Sequence, residues 1–380
     1  MPTIQPSSEV GSRRPRRACK VALVPESFTE NKYNLESGIT VKKEPRMRRS
    51  AIAFLLSAIA TVCLLSGETV RNADAQGLKK VTLRLAFTYN GHRSPYLLAL
   101  DKGFYKEEGL DVEVLEGKGI TSSMQLVANK QDTFTIVDPP SLVLGVAQGM
   151  PVKQVALIYQ YSPNVLISWK DQSINKPADL VGKTVATLQG DTTTTMLYAL
   201  LAKNGVDRNA VKIVASDAGT RNQLFLSKGA AAITRFQSDY IDMAATTNNQ
   251  VNYFLYSDFG IQAMGDGIVA HNDTIKSTPD VVRGVVRASL RGYQYAKDHP
   301  EEAIASLTKR APTIKPDIAL EQLKLMVKFT ESPDTKEHGL GYSSKARWEQ
   351  NQTLMKEFGG LTKVEPDVSV FYTNDFLPKR

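Results

Sequence analysis

Residues 79–270 are built from short apolar runs that alternate with helix-like stretches, and this alternation limits the folds open to the chain. Val81-Thr82-Leu83-Arg84-Leu85 alternates apolar and polar side chains, the period of a half-buried strand. Ser94-Pro95 then supplies a helix N-cap and a proline at the first helical position, and Gly103 a stop. The cycle recurs with a strand at 110–115, a helix at 121–129, a buried strand at 134–137, a helix at 141–148 ended by Gly149, and a strand at 155–158. The order βαβαβαβ predicts an α/β layer whose strands are mostly parallel, with helices flanking the sheet.

A second series begins at Val165-Leu166-Ile167-Ser168-Trp169. Strands are expected at 183–188, 211–214, 231–234 and 260–263, with helices at 192–203, 222–228 and 238–245. From Ser277 the pattern turns helical. Pro279, Pro300 and Pro316 each open a helix, and 345–358 forms another, ended by Gly359-Gly360. Val282, Val285, Val286, Leu290 and Tyr293 follow the three-and-four spacing of a core-facing stripe. The interrupted series predicts two lobes, 78–165 plus 272–380 and 166–271, with the chain crossing between them twice.

The first 75 residues read as an address. They hold 12 Lys+Arg against 7 Asp+Glu, a net of +5, while the remaining 305 residues hold 35 against 32, a net of +3. The basic balance therefore sits mainly at the N-terminus, and the body has no basic run that would mark a nucleic-acid partner. Residues 1–46 are polar and unpatterned, a disordered extension or a mis-assigned start ahead of Met47. Arg48-Arg49, a 15-residue apolar run at 51–65 and Ala73-Asp74-Ala75 form a signal-peptide series over 47–75. The run is too short for a spanning helix. Cleavage after Ala75 predicts a periplasmic protein and removes both cysteines, Cys19 and Cys63.

Catalytic signatures are absent: there is no nucleophile elbow, phosphate loop, dinucleotide fingerprint or zinc-protease helix. The four histidines show no metal spacing. The expectation is therefore a non-enzyme with neither metal nor cofactor. Candidate binding residues come instead from loops at the carboxyl ends of strands, where α/β sheets hold ligands. These are Tyr89, Asn90 and His92 after the first strand, Asp138 after the third, and Tyr159, Gln160 and Tyr161 after the fourth. Asp191, Thr192, Thr193 and Thr194 open the first long helix of the second lobe. Each alone is explained as turn or cap chemistry; together they predict a small-ligand cleft between lobes.

Three longer motifs carry a resemblance. Ala99-Leu100-Asp101-Lys102-Gly103-Phe104-Tyr105-Lys106-Glu107-Glu108-Gly109-Leu110-Asp111-Val112, Gln148-Gly149-Met150-Pro151-Val152 and Pro177-Ala178-Asp179-Leu180-Val181-Gly182-Lys183-Thr184-Val185 are similar to runs of periplasmic solute-binding proteins of ABC importers. Tyr372-Thr373-Asn374-Asp375-Phe376-Leu377 resembles the usual C-terminal segment of that family. The branch includes nitrate, alkanesulfonate, taurine and thiamine-pyrimidine-precursor binders. The resemblance spans about 79–377 and implies a two-lobed type II binding-protein fold, a monomer that traps a small solute on closure and delivers it to an inner-membrane permease.

For the solute, the resemblance leaves two classes. Tyr89, Asn90, His92, Asp138, Tyr159, Gln160, Tyr161 and Phe236, with Asp239 facing them, offer stacking and hydrogen bonding to a pyrimidine-precursor-like heterocycle. Thr192-Thr193-Thr194 at a helix N-terminus suits a sulfonate, taurine or nitrate anion, but Asp191 competes for the same N–H groups. Arg93, Arg221 and Arg235 reverse that objection if one points into the cleft. A third class, fungal pyrimidine synthases of the same fold, uses a histidine here with a cysteine-rich iron motif; residues 76–380 contain no cysteine.

Overall fold

The computed structural model describes residues 77–379. The upstream basic segment, the apolar run, the processing site and both cysteines lie outside the described residues.

Ten strands form two five-stranded sheets. In chain order these are β1 (Lys79–Arg84), β2 (Leu110–Leu115), β3 (Phe134–Val137), β4 (Val152–Leu157), β5 (Asn164–Trp169), β6 (Thr184–Leu188), β7 (Lys212–Ser216), β8 (Ala232–Phe236), β9 (Val251–Leu255) and β10 (Gly267–His271). The first sheet has the order β2-β1-β3-β10-β4 and the second β7-β6-β8-β5-β9. In each sheet one strand is reversed: β10 is antiparallel to β3 and β4, and β5 to β8 and β9. The sheets are thus mixed. The parallel expectation holds for the strands followed by helical crossovers and fails for the two that enter a sheet directly from the other one.

The sequence pattern predicts a strand at 260–263 and places all of 166–271 in the second lobe. The structure differs at both ends of that segment. The returning strand is β10, and it belongs to the first sheet. Residues 260–263 are an irregular crossing that starts from Gly260 in the left-handed region, φ +86°, with Ile261 and Ala263 buried but outside any ladder. At the other end, β5 already begins at Asn164.

Helices α1 (Ser94–Asp101), α2 (Phe104–Glu107), α3 (Ile120–Ala128) and α4 (Pro139–Ala147) follow the strands of the first sheet. α5 (Thr192–Lys203), α6 (Ala218–Leu226) and α7 (Gln237–Thr246) follow those of the second. The remainder is helical: α8 (Asn272–Ser277), α9 (Pro279–Asp298), α10 (Pro300–Thr308), α11 (Pro316–Met326), α12 (Pro333–His338) and α13 (Lys345–Phe358). The apolar stripe of α9 is buried at Val282, Val285, Val286, Leu290 and Tyr293, and α9 packs on α1. A Cβ at Gly292 would lie 2.5 Å from the Pro95 carbonyl oxygen, so glycine sets how closely these helices approach.

The C-terminal helices do not stay with one sheet. α13 packs against both α4 and α5, and its fully buried Trp348 stacks on Tyr372 at 5.1 Å while its Nε1 donates to Ser343 Oγ at 2.9 Å. α11 lies against α7 and the turn before α1. The chain end covers the open edge of β4: Gln154 N donates to Phe371 O, and Thr373 N to Gln154 O, both at 2.9 Å. This closes an edge that would otherwise offer unpaired backbone groups.

Candidate ligand-binding cleft

The loops at the carboxyl ends of β1, β2, β6, β7 and β8 converge on a cleft of about 700 Å³. This is the place where open α/β sheets accept ligands, and the volume falls within the range of small-molecule sites, roughly 300–1,000 Å³.

On the first-sheet side the wall is a 3-10 turn, Gly91–Arg93, between β1 and α1. Its position depends on Gly91: an added Cβ would lie 1.9 Å from the Ala319 carbonyl oxygen of α11. Gly91 N donates to Gln322 Oε1 at 3.0 Å on the same helix. The turn is held from below by Tyr159, whose hydroxyl donates to the His92 carbonyl at 2.8 Å. His92 lines the cleft, the residue being 2% exposed, and neither ring nitrogen has a partner. Burial, reinforced by the neighbouring Arg93 charge, lowers its pKa well below the usual histidine value. The imidazole is therefore neutral and offers one donor and one acceptor. Arg93, also buried, pairs with Asp266 at 3.4 Å.

On the second-sheet side, Asp191 caps α5 by accepting from Thr193 N at 2.7 Å. Asp217 caps α6 by accepting from Gly219 N and Thr220 N at 2.9 and 3.1 Å. Both are good N-cap residues before a run of orphan N–H groups. From α6, Arg221 reaches Thr234 O at 3.3 Å. From the end of β8, Arg235 binds Asn222 Oδ1 and lies 3.6 Å from Asp239. Phe236 supplies the apolar surface between them. Burial lowers the Arg221 pKa to about 10, with the Arg235 charge second; burial raises that of Asp191.

The two sides are tied at one rim. Asp138 caps α4, accepting from Ser141 N at 2.8 Å and Ser141 Oγ at 2.9 Å. Its Oδ2 also accepts from Thr192 Oγ1 of α5 at 3.1 Å. Thr121 Oγ1 donates to Gly190 O at 3.3 Å nearby. Burial pushes the Asp138 carboxyl up to about 7, against its hydrogen bond from Ser141 N, with Asp266 and Asp191 adding to the rise.

Of the residues singled out from sequence, Asn90, His92, Asp191, Thr193, Phe236 and Asp239 line the cleft together. Asp138 and Thr192 meet each other at the rim. Thr194 turns away, donating to Leu188 O at 2.9 Å. Tyr89 lies outside the cleft, its ring packed on the first core and its hydroxyl donating to Val114 O at 2.7 Å. Tyr159, Gln160 and Tyr161 occupy the crossing between β4 and β5 and do not line the cleft. Tyr159 is a core residue edge-on to Tyr293 at 6.0 Å. Gln160 is gripped by Arg347, with Nη1 at 2.7 Å, and by Ser332 Oγ at 3.0 Å. Tyr161 lies under the Arg347 guanidinium at 5.1 Å. Their apolar-aromatic pattern reflects a packed crossing, which sequence spacing does not distinguish from a binding loop. Phe87, Lys118, Asp217 and Asn222 also line the cleft and were not anticipated. The conditional trio Arg93, Arg221 and Arg235 all line it.

Among the described residues no group of three or more His, Cys, Asp or Glu is placed to hold a metal ion. No described helix is long and apolar enough to cross a membrane.

Residues 90–303 match the family described as NMT1/THI5 like. The chain belongs to the NMT1/THI5-like family. It is 27% identical over 310 residues to the riboflavin-binding protein RibY of Chloroflexus aurantiacus, covering 79% of this chain and 87% of that one. It is 23% identical over 294 residues to the formylaminopyrimidine-binding protein of Halalkalibacterium halodurans, covering 76% and 88%. A Legionella pneumophila protein named 4-amino-5-hydroxymethyl-2-methylpyrimidine phosphate synthase is 24% identical over 307 residues, covering 79% and 92%. The fold is that of the alkanesulfonate-binding protein SsuA from Xanthomonas axonopodis pv. citri. The TM-score is 0.64 at 13% identity, over 79% of this chain and 100% of that one. The two-lobed, periplasmic-binding-protein-like fold read from the sequence is therefore the fold of this family.

Proposed function

We propose that this protein is the extracytoplasmic solute-binding component of an ABC importer, holding a small heterocyclic solute between two lobes. The lobes meet at two crossings, residues 158–163 and 256–266. The observation that carries this reading is His92: a buried, neutral imidazole that lines a cleft between two sheets with both nitrogens unpartnered. Buried polar atoms are nearly always hydrogen-bonded. A ring solute with a donor or acceptor on its edge satisfies one of the His92 nitrogens, while Phe236 supplies a stacking face. The names of the riboflavin- and formylaminopyrimidine-binding relatives support a heterocycle.

The cleft residues serve binding. Ligand that touches both walls stabilises the closed arrangement by its differential contacts. The closed protein is then presented, as a monomer, to a membrane permease. Export by the 47–75 signal sequence would place it in the periplasm and leave Gln76 as the mature N-terminus. The enzyme alternative draws on the synthase-named relative. Against it stands the mature chain's lack of any thiol for an iron motif.

The test is calorimetry and small-angle scattering with riboflavin, formylaminopyrimidine and aminopyrimidines on the exported protein. Stoichiometric binding with a smaller radius of gyration is expected. Conversion of a bound compound to product over time would replace the binding reading with the enzymatic one. Mass spectrometry of the exported form gives the mature N-terminus.

A further inference from the structure

The second-sheet wall of the cleft holds a buried cation that no carboxylate touches directly, although Asp239 and Asp191 act on it at longer range. Arg221 is 6% exposed and makes no ion pair within 4 Å among the described residues. Its one hydrogen bond runs from Nη1 to Thr234 O at 3.3 Å, and its Nε has no partner. The Nε of Arg235 beside it is likewise buried and unpartnered. The nearby carboxylates are already committed. Asp191 and Asp217 cap helices, and Asp239 lies against Arg235. Charged groups are kept in protein interiors when paired, and a guanidinium lacking its counter-ion is costly. The fork of an arginine matches a carboxylate or phosphate edge. A bare inorganic anion would leave most of a cleft of about 700 Å³ unfilled, so the ligand must be larger than the group that Arg221 binds.

Resting on the binding reading above, we propose that the solute is an aromatic oxyanion. Its ring sits between His92 and Phe236, and its single acidic group, a carboxylate, sulfonate or phosphate, pairs with Arg221 with Arg235 as second donor. The cleft thereby selects an acid-bearing ring over its neutral counterpart. Asp191 caps α5 and burial raises its pKa; Arg221, which attracts it, offsets its charge toward an acidic solute.

The experiment uses the mature protein and matched probes that differ by the acidic group: flavin mononucleotide against riboflavin, orotate against uracil, nicotinate against nicotinamide, and a benzenesulfonate against benzamide. Affinities are read by calorimetry. In parallel, inorganic sulfate is titrated against chloride at equal ionic strength while the arginine Nε–H resonances are followed by NMR, with R221K supplying the assignment. The acid member of at least one pair should bind at least tenfold more tightly than its partner, and R221Q should abolish that ratio. Sulfate should move the Arg221 resonance saturably. Which acid wins distinguishes carboxylate, sulfonate and phosphate. If neutral members bind as tightly as acids and the Arg221 resonance ignores both sulfate and acids, the oxyanion assignment falls while the binding function stands. If no ring compound binds and sulfate has no effect, both fall. The NMR arm uses wild-type protein, so it decides the matter even if R221Q fails to fold.

Discussion

Replacing Asp138 with asparagine should flatten the pH dependence of stability. Asp138 is 6% exposed, and burial raises its carboxyl from 3.8 to about 7. A carboxyl whose pKa is raised on folding binds its proton more tightly in the folded state. Relative to the ionised form, that stability is fully present below the unfolded value of 3.8 and is lost as pH rises to about 7. At about 1.4 kcal/mol for each tenfold in proton affinity, the whole effect is about 4 kcal/mol, and roughly 2–3 kcal/mol of it falls between pH 5 and 8. Asp191 and Asp266 are raised by burial as well and act with the same sign. His92, whose pKa burial lowers, acts with the opposite sign, losing stability as pH falls below 6.5. The difference between wild type and D138N separates Asp138 from the others. Asparagine retains the cap, since Asn and Asp are equivalent N-cap residues. Urea unfolding of both proteins at pH 5, 6, 7 and 8 is the assay. Wild type should lose about 2–3 kcal/mol more than D138N over that range. Parallel curves within about 0.5 kcal/mol would refute the reasoning.

The fold was legible where local chemistry and the global pattern agree. The cycle from Val81 to Val137 pairs alternating strands with capped helices, and the stripe from Val282 to Tyr293 has one reading only, a helix facing a core. Strand reversal was not legible. β5 and β10 are apolar runs like their parallel neighbours, and what reverses them is their route between sheets, a property of no single segment. The strand at Val251–Leu255 has strand-favouring Val251, Tyr253 and Phe254 after a turn with Asn248 and Asn249 at positive φ, but a single five-residue run does not reveal its place at the sheet edge beside β5. At the cleft, loops at strand ends pointed to Asn90, His92 and Asp191. Tyr159–Tyr161 misled because an aromatic crossing and an aromatic site share a composition. The arginines were visible as residues, but whether a guanidinium faces a cleft depends on the packing of α6 against β8.

Among the remaining predictions, G91A should destabilise by roughly 1–3 kcal/mol, since a Cβ would strike the Ala319 carbonyl at 1.9 Å; thermal unfolding with a wild-type midpoint would contradict that packing. Y159F removes the hydroxyl that holds the His92 carbonyl and should cost about 1 kcal/mol in chemical denaturation. Y89A should alter solute affinity less than twofold, because its ring lies outside the cleft; a tenfold loss by calorimetry would place it inside. T192V tests the tie between the lobes. Valine keeps the shape of threonine but deletes the donor to Asp138 Oδ2 at 3.1 Å, along with a weaker acceptor for Ser141 Oγ at 3.3 Å. At pH 8, above the raised Asp138 value of about 7, a hydrogen bond to the ionised carboxylate contributes roughly 1.5–3 kcal/mol, and this one exists only while α4 and α5 are together. Its loss therefore falls on the closed arrangement alone and should shift closure toward the open form by roughly 10- to 100-fold. Solute affinity falls by the same factor wherever the open form dominates the unliganded protein. Small-angle scattering should then show a larger radius of gyration for unliganded T192V than for wild type. Equal radii together with equal affinities would mean that the hydrogen bond does not govern closure, and that burial of Trp348 between α4 and α5 holds the lobes instead.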